Sequence, residues 1–267
     1  MRVCVLRIEG TNCEDETFHA FESVGALPEK VHLKQLTGDS PPSMRRDLED
    51  YQVLALPGGF SSGDYVRAGA IFAARIKSRL RGQLTEFVEE GRPVLGICNG
   101  FQILVELGLL PGWEGKISEE PRAALATNAS GRFECLPTLL RHEAGGNCLF
   151  TRDLDRGRVA MFPSAHAEGN LRFPQGREEE FVDRLAEGDQ VVFRYVDPEG
   201  RSGKYPWDPN GSVSSIAGIC NPQGNVLGLM PHPERAFHRW QHPDWTRGGK
   251  GPGDGRVIFE SCVRHAD

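Results

Sequence analysis

The fold is decided by the stretch Pro93-Val94-Leu95-Gly96-Ile97-Cys98-Asn99-Gly100-Phe101-Gln102, which predicts a short buried strand, a cysteine on a sharp turn and the start of a helix. Glycines two residues before and after Cys98 permit a strained turn and close helix–strand packing, as in the nucleophile elbow that usually carries a serine. Unpaired N–H groups at the start of a helix also stabilise a thiolate. Cysteine is common in buried strands as a small core residue, so the elbow alone leaves both interpretations open.

Strands and helices alternate in the first half of the chain. Apolar runs at residues 3–6, 53–56 and 94–97 predict strands that are covered on both faces. Helical patterns lie between them, as over residues 76–90. This alternation predicts an α/β fold with a mostly parallel central sheet and helices on both faces. The glycines and the cysteine then lie at the carboxyl edge of the sheet, where ligands bind in such folds.

The second half of the chain predicts a small antiparallel extension. Residues 158–162 and 191–195 have strand patterns, and residues 178–187 have an acidic helical pattern. The apolar runs 216–219 and 226–230 flank a cluster of turn formers. Such a pair of runs is typical of a β-hairpin.

Composition limits the classes of function. The chain has 267 residues, of which 39% are hydrophobic and 25% charged, so it can bury a full core as one domain. Its seven cysteines are dispersed and form no C-x-x-C pair, so we expect neither a disulfide framework nor a zinc site. A net charge of −6 argues against nucleic acid as the main partner. The chain has no apolar run long enough to cross a membrane and its N-terminus enters a strand pattern directly, so we expect a cytoplasmic protein with no membrane contact.

His232 is the second chemical signal. It lies between two prolines at the exit of the predicted hairpin, and Glu234 follows two residues later. A thiol nucleophile needs a base, and a third group usually orients that base. An isolated histidine of this kind is more often a surface residue, and an isolated glutamate a solvated charge. Those interpretations lose weight because the same chain carries the Cys98 elbow.

Gly58 and Gly59 follow the predicted strand at 53–56 and form the third signal. Paired glycines let backbone N–H groups come close to a substrate. Together with the N–H of Asn99, the N–H of Gly59 can form an oxyanion hole, in which each donor contributes about 10²–10³ in rate. A tight turn without a catalytic role is the alternative. No phosphate-binding glycine loop opens a helix after the first strand.

Cys98, His232 and Glu234 together resemble the Cys-His-Glu triad of class I glutamine amidotransferases, in the same order along the chain. The chain is more narrowly similar to the glutaminase component of phosphoribosylformylglycinamidine synthase, from Gly10-Thr11-Asn12-Cys13 to the last predicted helix. The motifs that carry this similarity are Gly58-Gly59-Phe60-Ser61-x-Gly63-Asp64-Tyr65-x-Arg67-Ala68-Gly69, Gly96-Ile97-Cys98-Asn99-Gly100-Phe101-Gln102, Arg132-Phe133-Glu134, Asn210-Gly211-Ser212, Gly218-Ile219-Cys220-Asn221 and Gly228-Leu229-Met230-Pro231-His232-Pro233-Glu234-Arg235.

The resemblance implies a mechanism for the triad. Cys98 attacks the side-chain amide of glutamine and becomes a glutamyl thioester. His232, oriented by Glu234, protonates the departing ammonia and then activates water to hydrolyse the thioester. The N–H groups of Gly59 and Asn99 hold the oxyanion.

The resemblance also implies how the chain is organised and with what it works. It predicts one type 1 glutamine amidotransferase domain over residues 1–267 with a flavodoxin-like fold, and it predicts that Gln102 and Gly58 bind the substrate glutamine. Local bonding within the helix is the alternative for Gln102. The ammonia is expected to pass to a separate synthetase subunit, with a small bridging subunit in the same complex, which makes formylglycinamidine ribonucleotide in purine synthesis. ATP and magnesium belong to that subunit, and no cofactor or metal is expected in this chain.

Three features of the sequence have open roles. His166 lies in a segment that resembles the family's P-x-A-H-G-E-G pattern, except that Ala167 replaces the glycine. It lines the pocket or the ammonia exit, or it is a structural histidine bonded to backbone. Tyr65 and Arg67 contact the partner or brace their own loop. Residues 201–207 place aromatic and basic side chains in a predicted loop, a composition suited to an interface or to a folded surface loop.

The sequence also allows three functions other than this amidotransferase. A cysteine hydrolase of similar α/β fold is disfavoured by Gln102 and the downstream His-x-Glu pattern. A glutamine-sensing subunit without turnover receives no support, because all three triad residues are present. An amidotransferase subunit for another acceptor is opposed by the Gly-Asp-Tyr-x-Arg-Ala-Gly stretch.

Overall fold

A computed structural model of the chain describes residues 1–114, 117–118, 120–247 and 251–266. The strands are β1 Arg2–Arg7, β2 Leu27–His32, β3 Val53–Leu56, β4 Val94–Ile97, β5 Ala124–Thr127, β6 Glu134–His142, β7 Val159–His166, β8 Glu168–Arg172, β9 Val191–Val196, β10 Ile216–Cys220 and β11 Val226–Leu229. The helices are α1 Glu14–Ser23, α2 Leu33–Leu36, α3 Ala70–Arg79, α4 Arg81–Glu89, α5 Asn99–Glu106, α6 Glu178–Glu187 and α7 Arg256–His265.

The central sheet is mixed and has nine strands in the order β2-β1-β3-β4-β11-β10-β9-β6-β7. Its first five strands pair in parallel, and the remaining pairs are antiparallel. Because only β10 and β6 run against the others, seven of the nine strands share one direction. The α/β class and the mostly parallel sheet are therefore confirmed. The antiparallel part consists of four strands in the same sheet, together with a separate pair of β5 and β8.

Buried strands form the middle of the sheet. Every residue of β3, β4 and β11 is buried. Continuous apolar runs of this kind are expected where helices cover both faces of parallel strands. The three strands are neighbours, so the loops that leave them meet at one edge of the sheet.

The sequence predicts one helix over residues 76–90, and this prediction is wrong, because the structure divides these residues between two helices. Helix α3 ends at Arg79 and α4 begins at Arg81, because Leu80 has a non-helical backbone with φ −121° and ψ 8°. Leu80 is only 3% exposed, so burial of its side chain accompanies the change of direction. The predicted helix at 178–187 and the predicted hairpin of β10 and β11 are confirmed. In the part of the chain described here, no helix combines the length and the apolarity that crossing a bilayer requires.

Candidate active site

Cys98 occupies the predicted elbow between β4 and α5. Its backbone has φ 52° and ψ −106°, a strained conformation for a residue with a side chain. The flanking glycines make the turn possible, since a Cβ on Gly100 would lie 1.9 Å from the carbonyl oxygen of Leu56. A Cβ on Gly96 would lie 2.7 Å from backbone atoms of Gly100. Helix α5 thus packs directly on the sheet and presents Cys98 at its N-terminus.

His232 and Glu234 form a buried pair beside this elbow. The Nδ1 atom of His232 lies 2.5 Å from Oε1 of Glu234, and both residues are at most 2% exposed. The backbone N–H of His232 donates to the carbonyl of Pro163, which fixes the segment that follows β11. Because a carboxylate only accepts, Nδ1 carries a proton and Nε2 is left for the chemistry. The Nε2 atom is buried and has no hydrogen-bond partner within the described residues.

The charges around His232 favour its protonated form. Burial alone opposes charging of the ring, but the charges of Glu234 and Cys98 outweigh it and hold the pKa of His232 well above the usual value for a histidine. An imidazolium beside a cysteine can stabilise the thiolate that attacks a substrate. The structure therefore brings together the three residues that the sequence singled out.

The glycine turn after β3 lies against the same centre. A Cβ on Gly58 would lie 2.8 Å from Cε1 of His232 and 3.4 Å from Cβ of Cys98. Gly59 has φ 148°, and a Cβ there would meet the backbone N of Asn12 at 2.7 Å. Within the described chain, the N–H groups of Gly59 and Asn99 donate to no backbone carbonyl. Both are thus available to an oxyanion, and their catalytic role stays a prediction.

Gln102 is buried and fully engaged within the protein. Its Nε2 donates to the carbonyl of Glu168, and its Oε1 accepts from Nδ2 of Asn99 at 2.9 Å. The Oδ1 of Asn99 in turn faces the N–H of Ser61 at 3.4 Å. Gln102 therefore ties α5 to β8 and to the glycine loop, and binding of glutamine through this residue stays a prediction.

His166 lies in the same interior, at the end of β7. Its Nδ1 is 3.1 Å from Oδ1 of Asn128, whose Nδ2 donates to the carbonyls of Arg132 and His166 itself. Oδ1 is thereby the acceptor end of the amide, so His166 carries its proton on Nδ1. Burial, and then the charge of His232, lower the pKa of His166 to about 4. The ring is neutral near pH 7, and its buried Nε2 keeps a lone pair that has no partner among the described residues.

Two residues beside the site, Cys13 and Asn128, were not identified from the sequence. Cys13 is 1% exposed and its Sγ lies 3.0 Å from Nη2 of Arg235. Asn128 stands in a run of small polar residues that indicates only a turn. The presence of Cys13 in the family-like opening was the one available signal, and nothing in the sequence pairs it with Arg235.

One group among the described residues has the spacing of metal ligands. Donor atoms of Cys13, His232 and Glu234 all lie within 4.8 Å of one another. His232 and Glu234 already bond each other, and the guanidinium of Arg235 lies against the Cys13 sulfur. A positive charge beside a thiolate ligand repels a cation. We therefore assign no metal to this group.

The remaining open features lie on the surface. Arg67 forms a bidentate ion pair with Glu106 of α5 at 2.5 and 2.6 Å, an arrangement that braces the loop after β3. Tyr65 in the same loop is 88% exposed. Tyr205 and Trp207 project from the predicted loop at 201–207 and are 65% and 37% exposed.

Comparison with known proteins adds independent information. A family model described as a CobB/CobQ-like glutamine amidotransferase domain matches residues 1–266. The phosphoribosylformylglycinamidine synthase subunit PurQ of Archaeoglobus fulgidus is 54% identical over 270 residues, covering 100% of this chain and 97% of that protein. The PurQ subunit of Picrophilus torridus is 42% identical over 261 residues, covering 97% and 96%. A solved structure of PurLQS from Thermotoga maritima contains a chain that is 34% identical, with a TM-score of 0.73 and coverage of 100% and 99%.

Proposed function

Because the chain belongs to the CobB/CobQ-like glutamine amidotransferase family and is similar over its full length to a PurQ subunit, we propose that it is the glutaminase subunit of phosphoribosylformylglycinamidine synthase. It hydrolyses glutamine to glutamate and ammonia. The main observation behind this reaction is that the Cys98 elbow lies beside the buried His232–Glu234 pair. Family membership supplies the reaction class, and this geometry supplies the residues.

The first half-reaction forms a thioester. The Cys98 thiolate attacks the side-chain amide carbon of glutamine, and the carbonyl oxygen becomes an oxyanion that accepts from the N–H groups of Gly59 and Asn99. The imidazolium of His232 gives its Nε2 proton to the amide nitrogen. The C–N bond then breaks, ammonia leaves, and the glutamyl group stays on Cys98.

The second half-reaction restores the enzyme. Neutral His232 takes a proton from water at Nε2, and the resulting hydroxide attacks the thioester carbon. The C–S bond breaks, glutamate leaves, and the thiolate–imidazolium pair forms again. Glu234 keeps the ring oriented and balances the charge of the imidazolium in both steps.

The ammonia passes to a synthetase subunit. The solved Thermotoga maritima assembly is described as PurLQS, which supports a complex with a synthetase and a small third subunit. We place ATP, magnesium and the conversion of formylglycinamide ribonucleotide to the amidine on the synthetase, and no cofactor on this chain. We also propose one amidotransferase domain over residues 1–267 and a cytoplasmic location, which cell fractionation tests.

Ammonia release tests the function directly. The purified chain is assayed with glutamine alone and after mixing with the synthetase and small subunits of the same organism. We expect slow release by the isolated chain and faster release in the complex, because sites of this kind are often completed on assembly. If the assembled complex releases no ammonia from glutamine, the proposed function is wrong.

A further inference from the structure

A solvent-facing groove of about 750 Å³ lies between two loops on the side of the site where His166 is held. We call it the basic groove and define it by residues 129–132 on one wall and residues 203–215 on the other. It contains neither the triad nor the glycine turn. Its walls carry hydroxyl groups, an aromatic ring and two cationic side chains, a composition that is suited to binding a partner.

The two cations are Arg132 and Lys204, and both are exposed. Within the described residues, neither side chain forms an ion pair or a hydrogen bond. Among the described residues that line the groove, Asp208 is the one carboxylate; it is only 6% exposed and accepts from the N–H of Gly211 at 2.8 Å. It is thus committed to holding its own loop. The groove therefore presents unpaired positive charge on a chain whose net charge is −6.

The groove also has the side chains of a protein interface. Tyr205 lines it and Trp207 stands beside it, and both rings are substantially exposed. Arginine, tyrosine and tryptophan are enriched in interfaces and in their energetic centres. Exposed rings together with free cations favour an acidic protein segment over a free small anion, since an anion alone leaves the aromatic surface uncovered.

The floor of the groove is bonded to the catalytic interior. The N–H of Ala129 donates to the carbonyl of Asn210 at 3.0 Å, and Oγ of Ser212 donates to the carbonyl of Gly169 at 3.2 Å. Next to Ala129, Asn128 holds both His166 and the N–H of Gly169. A segment seated in the groove thus lies close to the network that positions His166.

We propose that the basic groove docks an acidic segment of the synthetase subunit. This inference rests on the proposed function, because it takes the synthetase as the partner. Complementary charges at such a contact steer association and make the affinity depend on ionic strength.

The test is a charge reversal in the full chain. The double variant Arg132→Glu with Lys204→Glu is compared with Lys34→Glu and Arg152→Glu, two exposed cations outside the groove that receive the same change in charge. Arg132→Lys with Lys204→Arg keeps the charge. Calorimetry measures the dissociation constant for the synthetase, with the small subunit present, at low and high salt. Ammonia release by each isolated variant checks that the fold and the triad are intact.

We expect the groove reversal to raise the dissociation constant at least tenfold and to flatten its salt dependence. The control pair and the charge-preserving pair keep wild-type binding. A groove reversal that binds like wild type overturns the inference. Inorganic phosphate is the second probe. The inference is also overturned if phosphate binds the isolated wild-type chain but not the groove variant, while both bind the synthetase equally well. If the wild-type complex releases no ammonia, the proposed function fails, whatever the dissociation constants are.

Discussion

The Nδ1 atom of His232 donates a 2.5 Å hydrogen bond to Oε1 of Glu234, and this contact is shielded from water. Burial opposes a charged ring, and the charge of Glu234 is the largest contribution that favours the imidazolium. A carboxylate in this position fixes the tautomer, orients the ring and stabilises its charge. The pair thereby determines whether Cys98 faces an acid or a neutral base.

Glu234→Gln keeps the size of the side chain and removes its charge. We expect kcat/KM for glutamine to fall by about 10²–10⁴, the range that a positioned acid–base group contributes. The pKa of His232 is raised in the folded protein, so the variant lowers it, and the alkaline limb of the pH–rate profile moves to lower pH. Steady-state rates across pH measure both effects. A variant with the wild-type rate and an unmoved alkaline limb contradicts the assigned role of Glu234.

Cys98→Ala separates the glutaminase from the synthetase. Without the sulfur no thioester forms, so glutamine-dependent synthesis in the complex is expected to fall to background. Synthesis from added ammonium is expected to persist, because that route bypasses this chain. Product formation with each nitrogen source provides the measurement. Loss of both activities shows instead that Cys98 has a structural role.

Gly58→Ala tests how tightly the site is packed. The new methyl group would lie 2.8 Å from Cε1 of His232 and 3.1 Å from Sγ of Cys13, so the ring or the turn must move. A misplacement of about 1 Å can cost about 10²-fold in rate, and we expect a loss of that order. Gly82→Ala is the matched control, because its methyl group meets nothing within 4 Å and lies in helix α4. Equal glutaminase rates for the two variants would show that Gly58 needs no close approach.

Local sequence patterns predicted the parts of the site but not all of their contacts. The strands, the elbow glycines and the hairpin can each be recognised from residues that are neighbours in the sequence. Because the carboxyl ends of parallel strands lie at the same edge of the sheet, the glycine turn is then expected near Cys98. The pairing of β4 with β11 joins segments far apart in sequence, and it brings the N–H of Cys98 to the carbonyl of Leu229. No local pattern encodes that pairing. The resemblance to a known family supplied it indirectly, through His232 and Glu234.

The features that sequence reasoning missed depend on tertiary contacts. Leu80 interrupts a good helical pattern where its side chain is buried. Cys13 is a catalytic-site neighbour only because α1 begins beside the glycine turn, where the N–H of Cys13 donates to the carbonyl of Gly58 at 3.1 Å. The tautomer of His166 is set by Asn128, 38 residues earlier. Packing decides each of these contacts, and a single sequence does not display it.

His166→Gln tests the buried neutral histidine through the pH dependence of stability. The folded pKa of His166 is about 4, below its ordinary value of 6.5, so the unfolded chain takes up a proton first as the pH falls. The free energy of unfolding therefore declines from about pH 6.5 to about pH 4, by about 3 kcal/mol from this residue. The glutamine variant loses that contribution and is expected to show a shallower decline, although the missing bond to Asn128 makes it less stable near pH 7. Urea unfolding at a series of pH values measures the slope. If both proteins lose stability equally between pH 6.5 and pH 4, His166 is not held neutral in the folded state.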